Sequence, residues 1–479
     1  MANLWVKKPL QQLLAQASSE GGLKRTLGAF NLVALGIGAI IGAGLFVRTA
    51  AAASEAAGPA VTLSFVVAAV GCAFAGLCYA EFAAMIPIAG SAYTYAYATM
   101  GEFVAWIIGW ALVLEYALGA VTVSIAWSEY LNKLLGGAIP YEWCHSPMEM
   151  NADGVHGILN LPAIVILLLL SMLLIKGTEE SASVNAVIVF IKVAIVLIFI
   201  AVGFQFINGA NHTPYMIPEG TAGHEEWNKW GYGGILGGAA IVFFAFIGFD
   251  AVSTAAQEAK NPAKDMPIGI LGSLAVCTIL YVLFAHVLTG VANWTEFKTA
   301  GKEASVAFAI SNHMPGYDWL ATAVTVAILA GFSSVILVML LGQSRVFYSM
   351  SKDGLIPPVF SELHPKFRTP YKSNWILFAF SGILAAFLPG SMAGDLTSFG
   401  TLLAFVLVSL GVWLMRRSDP DQPRPFRTPL VPLVPILGAI ICFAMIIALD
   451  KYTLMTALAW MAFGLIVYFG YSQKNSKLQ

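Results

Sequence analysis

Charged residues are scarce in this chain of 479 residues. Only 11% of them are Asp, Glu, Lys or Arg, whereas 58% are hydrophobic, and the mean hydropathy is +0.78. Soluble domains carry about 25% charged residues. The composition therefore excludes an ordinary soluble protein and predicts an all-α polytopic membrane protein.

An excess of charge of either sign is also missing, and cysteine is rare. The net charge is −1, so nothing in the composition favours binding to nucleic acid. Of the five cysteines only Cys144 lies in a loop, and no disulfide framework or zinc-binding spacing is present. The sequence therefore predicts no cofactor and no metal site.

The apolar runs divide the chain into twelve predicted transmembrane spans, numbered 1 to 12 in chain order. Spans 1–10 form a ten-helix core over residues 27–415, two further helices cover 430–471, and polar segments lie at 1–26 (an amphipathic lead-in) and 472–479. The predicted spans are 27–53, 59–85, 101–135, 158–176, 182–206, 233–258, 267–292, 319–350, 373–390, 395–415, 430–450 and 452–471.

The distribution of positive charge predicts the orientation of these spans. Most of the 25 lysines and arginines lie before span 1, after span 12, or in loops that follow even-numbered spans. Cytoplasmic loops are enriched in these residues. We therefore expect both termini to be cytoplasmic in the plasma membrane, the inner membrane if the source is bacterial.

Span 1 contains the glycine-rich stretch "GIGAIIGAGLF", residues 36–46. Each glycine weakens a helix interior by about 1 kcal/mol relative to alanine. A nucleotide-binding loop would need a preceding strand and different spacing. Two interpretations stay open: close helix packing through the GxxxG pair Gly38 and Gly42, or an interrupted helix that exposes its backbone to a buried ligand.

A second unusual stretch favours the interrupted helix. Span 6 contains "FFAFIGFDAVSTAAQEAKNP", with Gly248 and the ionisable Asp250 in its middle. Spans 1 and 6 are the first helices of two successive groups of five. Interrupted spans in corresponding positions indicate a transporter built as an inverted repeat.

Three stretches carry a family resemblance: "GIGAIIGAGLF", "FFAFIGFDAVSTAAQEAKNPAKDMPIGI" and "SRVFYSMSKDGLIPPVF". They resemble signatures of the amino acid–polyamine–organocation (APC) superfamily, and most of all its cationic amino acid transporter (CAT) family. The likeness extends over nearly all twelve spans. Animal members have fourteen, so the chain resembles bacterial relatives. The resemblance implies a five-plus-five inverted repeat with discontinuous spans 1 and 6 and substrate between the two breaks.

The same resemblance implies how the constant part of an amino acid would be held. The backbone N–H groups of Gly42, Ala43 and Gly44 would bind the carboxylate at the start of a half-helix. The backbone carbonyls of Ile40, Phe244 and Ile247 would accept hydrogen bonds from the α-ammonium group. Small residues at 42–44 would allow the ligand to approach closely.

Phe244 also matches the family's aromatic gate, a ring that covers the substrate from outside. The alternative is a ring that only packs within the protein or faces lipid. Its neighbours Phe243, Phe246 and Phe249 are available for the same role.

Lys192 lies deep in span 5, about 15 Å from the cytoplasmic start of the span at 1.5 Å per residue. An ammonium group at this depth is costly and usually functional, and releasing its proton would remove the cost. The resemblance implies that it replaces the cation held between spans 1 and 8 in sodium-coupled relatives. Lys192 is thus the predicted proton-coupling residue, with a permanently charged structural role as the alternative.

Three further polar residues are candidates for the substrate side-chain pocket. Glu115 in span 3 would line this pocket, pair with Lys192, or bridge helices. Asp250 would either cap the second half of span 6 or face the substrate. Ser334 in span 8, next to Ser333, would line a polar cavity, or the serine hydroxyls would bond to their own helix.

These residues predict a secondary active transporter that imports L-amino acids with protons by alternating access. Substrates would include neutral and cationic amino acids, such as alanine and arginine. Exchange of one amino acid for another is the alternative, whereas an intramembrane sensor or an enzyme is disfavoured. The expected partners are the amino acid and the lipid bilayer, and a small membrane subunit or a bound sterol remains open.

Overall fold

The computed structural model describes residues 4–9, 27–87, 91–151, 153–176, 182–221, 226–298, 305–367 and 369–478. Within these ranges every regular element is a helix, and β-pairing is confined to two isolated bridges. The predicted lead-in at 1–26 falls largely outside the described residues, because only 4–9 belong to them. The predicted all-α class is confirmed.

Helices occupy all of the predicted spans, with ends that differ by a few residues. Span 1 comprises Ala29–Ile40, Gly44–Arg48, Thr49–Ala52 and Ala53–Ala57, and span 6 comprises Gly231–Val242, Phe243–Phe246 and Asp250–Glu258. The others are Val61–Met85, Glu102–Leu134, Leu161–Lys176, Ala182–Gly203, Pro262–Val291, Asp318–Lys352, Tyr371–Phe387, Gly390–Ser418, Leu433–Ile447 and Lys451–Val467.

Eight helical segments of the described chain are long and apolar enough to cross a bilayer. Three shorter apolar helices, Ala29–Ile40, Leu161–Lys176 and Leu433–Ile447, accompany them. A hydrocarbon core about 30 Å thick needs roughly 20 apolar residues per helix. The chain is therefore a polytopic membrane protein.

Span 7 begins five residues earlier than predicted, at Pro262 instead of residue 267. Pro262 occupies the first turn of the helix, where the missing N–H group has no cost, and Pro267 follows inside the helix. The prediction treated Pro267 as the boundary, whereas the helix tolerates it close to its start.

Both expected interruptions are present. The first half of span 1 ends at Ile40, and Ile41 is extended before helical turns resume at Gly44. In span 6 the chain is extended at Ile247, and Gly248 has a φ of +116°, a conformation that side chains disfavour. Residues 36–46 therefore form an interrupted helix.

One additional helix, Ser91–Thr99, lies between spans 2 and 3 and was not predicted. Beside it the N-terminal Lys8 forms an ion pair with Asp353 at the end of span 8, with 2.9 Å between Nζ and Oδ1. The backbone N–H of Lys477 donates to the carbonyl of Asp353 at 3.1 Å. Both terminal segments therefore lie on the same face of the molecule.

Candidate functional site

The breaks of spans 1 and 6 lie directly against each other. A side chain at Gly44 would collide with the backbone of Ala245, and one at Gly248 would lie 2.9 Å from the carbonyl carbon of Ala39. The Tyr281 hydroxyl of span 7 lies 2.9 Å from the carbonyl oxygen of Ile40 and 2.8 Å from that of Ala245. Span 7 thus joins the two breaks.

The backbone groups predicted to hold a substrate occur at this junction. The Phe244 carbonyl accepts a hydrogen bond from the Ile247 N–H group at 3.3 Å, and the Ile40 carbonyl accepts one from Tyr281. A carbonyl oxygen has two lone pairs, so each retains capacity for an ammonium group. Ala43, Ile40 and Ile247 are buried.

The small residues in the span 1 break have a packing role that the sequence interpretation did not include. Gly44 touches the backbone of Ala245, and a side chain at Gly42 would lie 3.2 Å from Val335 of span 8. The contact with Ala245 therefore already requires glycine at position 44, whether or not a ligand approaches, whereas a side chain at position 42 would need Val335 to shift by only a few tenths of an ångström.

Phe244 differs from the three other phenylalanines around the span 6 break. Within the described part of the chain its buried ring has no aromatic neighbour. The others pack against aromatic rings, with centroid distances of 5.5 Å for Phe243–Phe405, 5.3 Å for Phe246–Tyr281 and 4.9 Å for Phe249–Phe405. Phe244 therefore differs from the other three rings in having no aromatic partner among the described residues.

Lys192 reaches the first half of span 1 from span 5. Its ammonium group donates a hydrogen bond to the Gly38 carbonyl at 2.8 Å, and its side chain is only 3% exposed. Gly331 of span 8 leaves room for the side chain, because a Cβ there would lie 2.7 Å from Lys192 Cε. Ile41 and Phe46 of span 1 lie around the same Lys192 side chain. The ammonium thus lies between the span 1 break and span 8.

Glu115 and Asp250 are fully buried. Asp250 accepts hydrogen bonds from the Gly248 N–H group and the Tyr116 hydroxyl, each at 3.3 Å. Neither oxygen of Glu115 has a hydrogen-bond donor among the described residues, so Glu115 does not pair with Lys192. Asp250 bonds to the break itself instead of capping the following turn.

The two serines of span 8 differ in their surroundings. Ser333 donates to the Leu329 carbonyl of its own helix at 2.9 Å, which is the second of the two interpretations. Ser334 is buried, with 4% of its surface exposed. Ser334 therefore stays the candidate for the side-chain pocket.

The sequence analysis did not single out Tyr281 or Arg48. Arg48 is buried, forms an ion pair with Asp395 of span 10, and lies four positions after Gly44. The sequence could have identified Tyr281 as a candidate, because its hydroxyl lies in the middle of an apolar span. The ion pair of Arg48 could not be identified in this way, because its partner lies 347 residues away in sequence.

An ion pair joins span 3 to the loop that follows it. His145 Nε2 lies 2.7 Å from Glu129 Oε1, and the His145 ring stacks on Tyr141 with centroids 3.7 Å apart. Burial disfavours the charged imidazolium, but the hydrogen bond and the charge of Glu129 outweigh it, so the pKa of His145 is raised above 6.5.

Residues 27–470 match the family model for amino acid permeases. The chain belongs to the amino acid permease family. It is a bacterial CAT-type member of the APC superfamily and, like its relatives, a transport protein and not an enzyme. This family assignment agrees with the interrupted spans and with the apolar helices of a multi-pass membrane protein.

Two Bacillus subtilis proteins resemble the chain over its full length. The branched-chain amino acid permease BcaP is 45% identical, with 98% of both chains covered. The methylthioribose transporter is 41% identical, with 100% of both covered. The vacuolar cationic amino acid transporter 4 of Arabidopsis thaliana is 34% identical over 83% of this chain and 64% of the plant protein.

Proposed function

We propose that this permease is a secondary active transporter that imports L-amino acids together with protons by alternating access. The observation that supports it most is the meeting of two interrupted helices, bridged by Tyr281, with Lys192 bonded to the first of them. Backbone at membrane depth that is not fully helical is typical of substrate sites in transporters.

The proposed architecture has twelve transmembrane spans arranged as a five-plus-five inverted repeat. The helices found at each of the predicted spans support this count, and both terminal segments meet at Asp353. The excess of lysine and arginine on that face supports a cytoplasmic location for both termini in the bacterial plasma membrane.

The substrate backbone would lie between the two breaks. The N–H groups at 42–44 would bind its carboxylate and the carbonyls of Ile40, Phe244 and Ile247 its ammonium group. Phe244 would cover the site from outside. Because each of these groups is backbone or a single ring, the arrangement would recognise any L-amino acid of suitable size.

Lys192 would couple substrate movement to protons. Its charged ammonium stabilises a carbonyl of the last turn of Ala29–Ile40, which has no intrahelical partner. Loss of the proton would weaken this hydrogen bond and release the half-helix. The coupling ion would thus act on the same element that binds substrate, and no cofactor is needed.

The side-chain pocket would be formed by Glu115, Asp250 and Ser334 together with apolar Ile40, Ile247 and Phe244. The apolar residues fit small neutral and branched-chain side chains, the latter suggested by the resemblance to BcaP. The carboxyl groups and the serine would admit arginine, which the resemblance to cationic amino acid transporters suggests. Exchange of amino acids across the membrane is the alternative mode.

A second substrate class deserves a direct comparison, because the methylthioribose transporter is nearly as similar as BcaP. Methylthioribose has neither a carboxylate nor an ammonium group, so it would leave the proposed backbone partners at the breaks unused. Competition experiments separate the two classes.

The test is uptake of labelled leucine, alanine, arginine and methylthioribose by the purified chain in liposomes. We expect amino acid accumulation with an inward proton gradient, no accumulation with sodium alone, and poor competition by amines such as cadaverine that lack the carboxylate. Uptake only against internal amino acid would establish exchange. Transport of methylthioribose without amino acids would refute the proposal.

A further inference from the structure

The chain after span 5 packs against the ends of other spans through residues 207–217, hereafter the outer segment. The side-chain amide of Asn211 donates to the carbonyl of Gly290, near the end of span 7, at 2.8 Å. Ile217 packs against Gly58, which follows span 1, since a Cβ at Gly58 would lie 2.6 Å from Ile217 Cγ1. The outer segment therefore contacts the ends of spans 1 and 7, and in the proposed topology it lies on the outer face of the membrane.

Two histidine rings face each other at this contact. His212 of the outer segment and His286 of span 7 are both half-buried, with ring centroids 4.5 Å apart and ring planes at 34°. His212 Nε2 lies 3.2 Å from the hydroxyl oxygen of Thr289. Since that hydroxyl donates to the Ala285 carbonyl at 2.8 Å, its oxygen accepts the hydrogen of His212 Nε2. His212 is therefore bonded to span 7 while its ring lies against His286.

Tyr215 extends the contact to span 2. Its hydroxyl lies 3.5 Å from His286 Nδ1 and 2.5 Å from the hydroxyl oxygen of Thr62, in the first turn of span 2. The ring of Tyr215 also packs edge-on against His212, with centroids 5.3 Å apart. The rings of His212, Tyr215 and His286 therefore join the outer segment to spans 2 and 7.

The groups around the two imidazole rings carry no negative charge. The side chains that face the rings from span 2, from span 7 and from the outer segment are hydroxyls. Of the described residues, no carboxylate forms an ion pair with either ring, whereas His145 and His313 have such partners. The titratable groups of the contact are His212, Tyr215 and His286. Burial lowers the pKa of His212 from 6.5, and the charge of His286 lowers it further.

Two positive charges do not fit this contact. Unit charges about 4.5 Å apart repel each other where water is partly excluded and no opposite charge lies near them. An imidazolium ring also has two N–H donors and no acceptor. His286 Nδ1 could then no longer accept a hydrogen bond from the Tyr215 hydroxyl. Protonation of both rings should therefore separate the outer segment from span 7.

We propose that His212 and His286 form an acid-sensitive contact, which holds the outer segment against spans 2 and 7 at neutral pH and releases it when both rings are protonated. Each ring takes its proton from the solution on the outer face. Tyr281, which bridges the two breaks, belongs to the same span 7, so release would free the outer end of the span that joins them. With protons driving import, release would occur on the acidic side of the membrane. This last step rests on the proposed function, and the release itself does not.

Hydrogen exchange of the purified full-length protein, measured by mass spectrometry, tests the release without any transport. Corrected for the intrinsic pH dependence of exchange, protection of the outer segment should fall about tenfold or more from about pH 8 to about pH 5. His212→Gln should remain protected at the lower pH, because an amide can donate to Thr289 and does not titrate. The control His156→Gln, which removes an exposed histidine, should lose protection as the unmodified protein does. An equal loss of protection in His212→Gln and the unmodified protein, or no loss in the unmodified protein, would overturn the proposal.

Nuclear magnetic resonance of protein with labelled imidazole rings tests the interaction of the two histidines. In His286→Gln the pKa of His212 should rise by about one unit, because the neighbouring charge is gone. His156→Gln should leave the pKa of His212 unchanged. An unchanged pKa in His286→Gln would overturn the proposal, even where a variant perturbs the packing of the outer segment.

Uptake in liposomes tests the last step. With the same proton gradient set at two different outside pH values, the unmodified protein should gain more from the acidic outside than His286→Gln, by about twofold or more. Equal gains in the two proteins would show that release does not assist import. A protein that transports no amino acid would refute the proposed function, while hydrogen exchange and the pKa of His212 would still decide on the acid-sensitive contact.

Discussion

The ammonium group of Lys192 donates a hydrogen bond to the carbonyl oxygen of Gly38 at 2.8 Å, in the last turn of the first half of span 1. Carbonyls in the last turn of a helix have no intrahelical partner. Span 5 therefore supplies a cap for a helix that ends at membrane depth. A change in the protonation of Lys192 would directly alter how firmly the half-helix is held.

Lys192→Met should reduce proton-driven accumulation of substrate to the level seen without a gradient. The thioether retains the length of the side chain but has no proton to exchange and no donor for Gly38. In the unmodified protein, uptake should increase as the outside pH falls. Both quantities are measured as labelled amino acid uptake in liposomes.

Lys176→Met is the matched control, since Lys176 is an exposed lysine at the end of span 4. It should accumulate substrate as the unmodified protein does. Normal accumulation by Lys192→Met would show that the coupling proton binds elsewhere.

Tyr281→Phe should weaken the junction between the two breaks. The ring remains in place, but the single hydroxyl hydrogen that the carbonyls of Ile40 and Ala245 share is lost. A buried polar group left without its partner costs about 1–3 kcal/mol. We expect a lower melting temperature in detergent and slower transport than in Tyr232→Phe, whose side chain is 77% exposed. Equal melting temperatures and rates in the two variants would contradict a bridging role.

Phe244→Leu should weaken substrate binding, whereas Phe243→Leu should lower thermal stability. Phe244 would lose its cover over the substrate, which we expect to weaken binding about tenfold, or about 1.4 kcal/mol. Phe243 packs on Phe405, so its replacement should lower the melting temperature instead. Calorimetry with leucine and thermal unfolding distinguish the two outcomes. If Phe243→Leu weakened binding more than Phe244→Leu, the gate would be the wrong ring.

The sequence was sufficient to locate the spans and both interruptions, because these depend on local composition. Hydropathy defined the spans, while the clustered glycines and the mid-span Gly248 and Asp250 indicated the breaks. The Tyr281 bridge was not predictable, since it depends on where two extended segments place their carbonyls. The packing of Gly44 on Ala245 was missed for the same reason, as it joins residues 201 positions apart in sequence.

The ion pair of His145 and Glu129 should make stability depend on pH. The hydrogen bond and the charge of Glu129 stabilise the protonated imidazole in the folded protein. The pKa of folded His145 therefore exceeds the unfolded value of about 6.5. The stabilisation is complete below about pH 6.5 and is lost as the pH rises through the raised pKa. The melting temperature should fall over that interval, and less so in Glu129→Gln. An identical pH profile in Glu129→Gln would exclude this pair as the cause.

Ser334→Met should distinguish between substrates by the size of their side chains. Ser334 is buried on span 8, in the position proposed for the polar wall of the side-chain pocket. A methionine there would occupy the space that arginine needs, and overpacking of this kind costs about 1–3 kcal/mol. We therefore expect arginine binding to weaken by about tenfold or more, while alanine, whose side chain ends before the pocket, still binds. Ser333→Met is the matched control, since Ser333 returns its hydroxyl to its own helix at Leu329. Equal losses of arginine and alanine binding in Ser334→Met would place Ser334 outside the side-chain pocket.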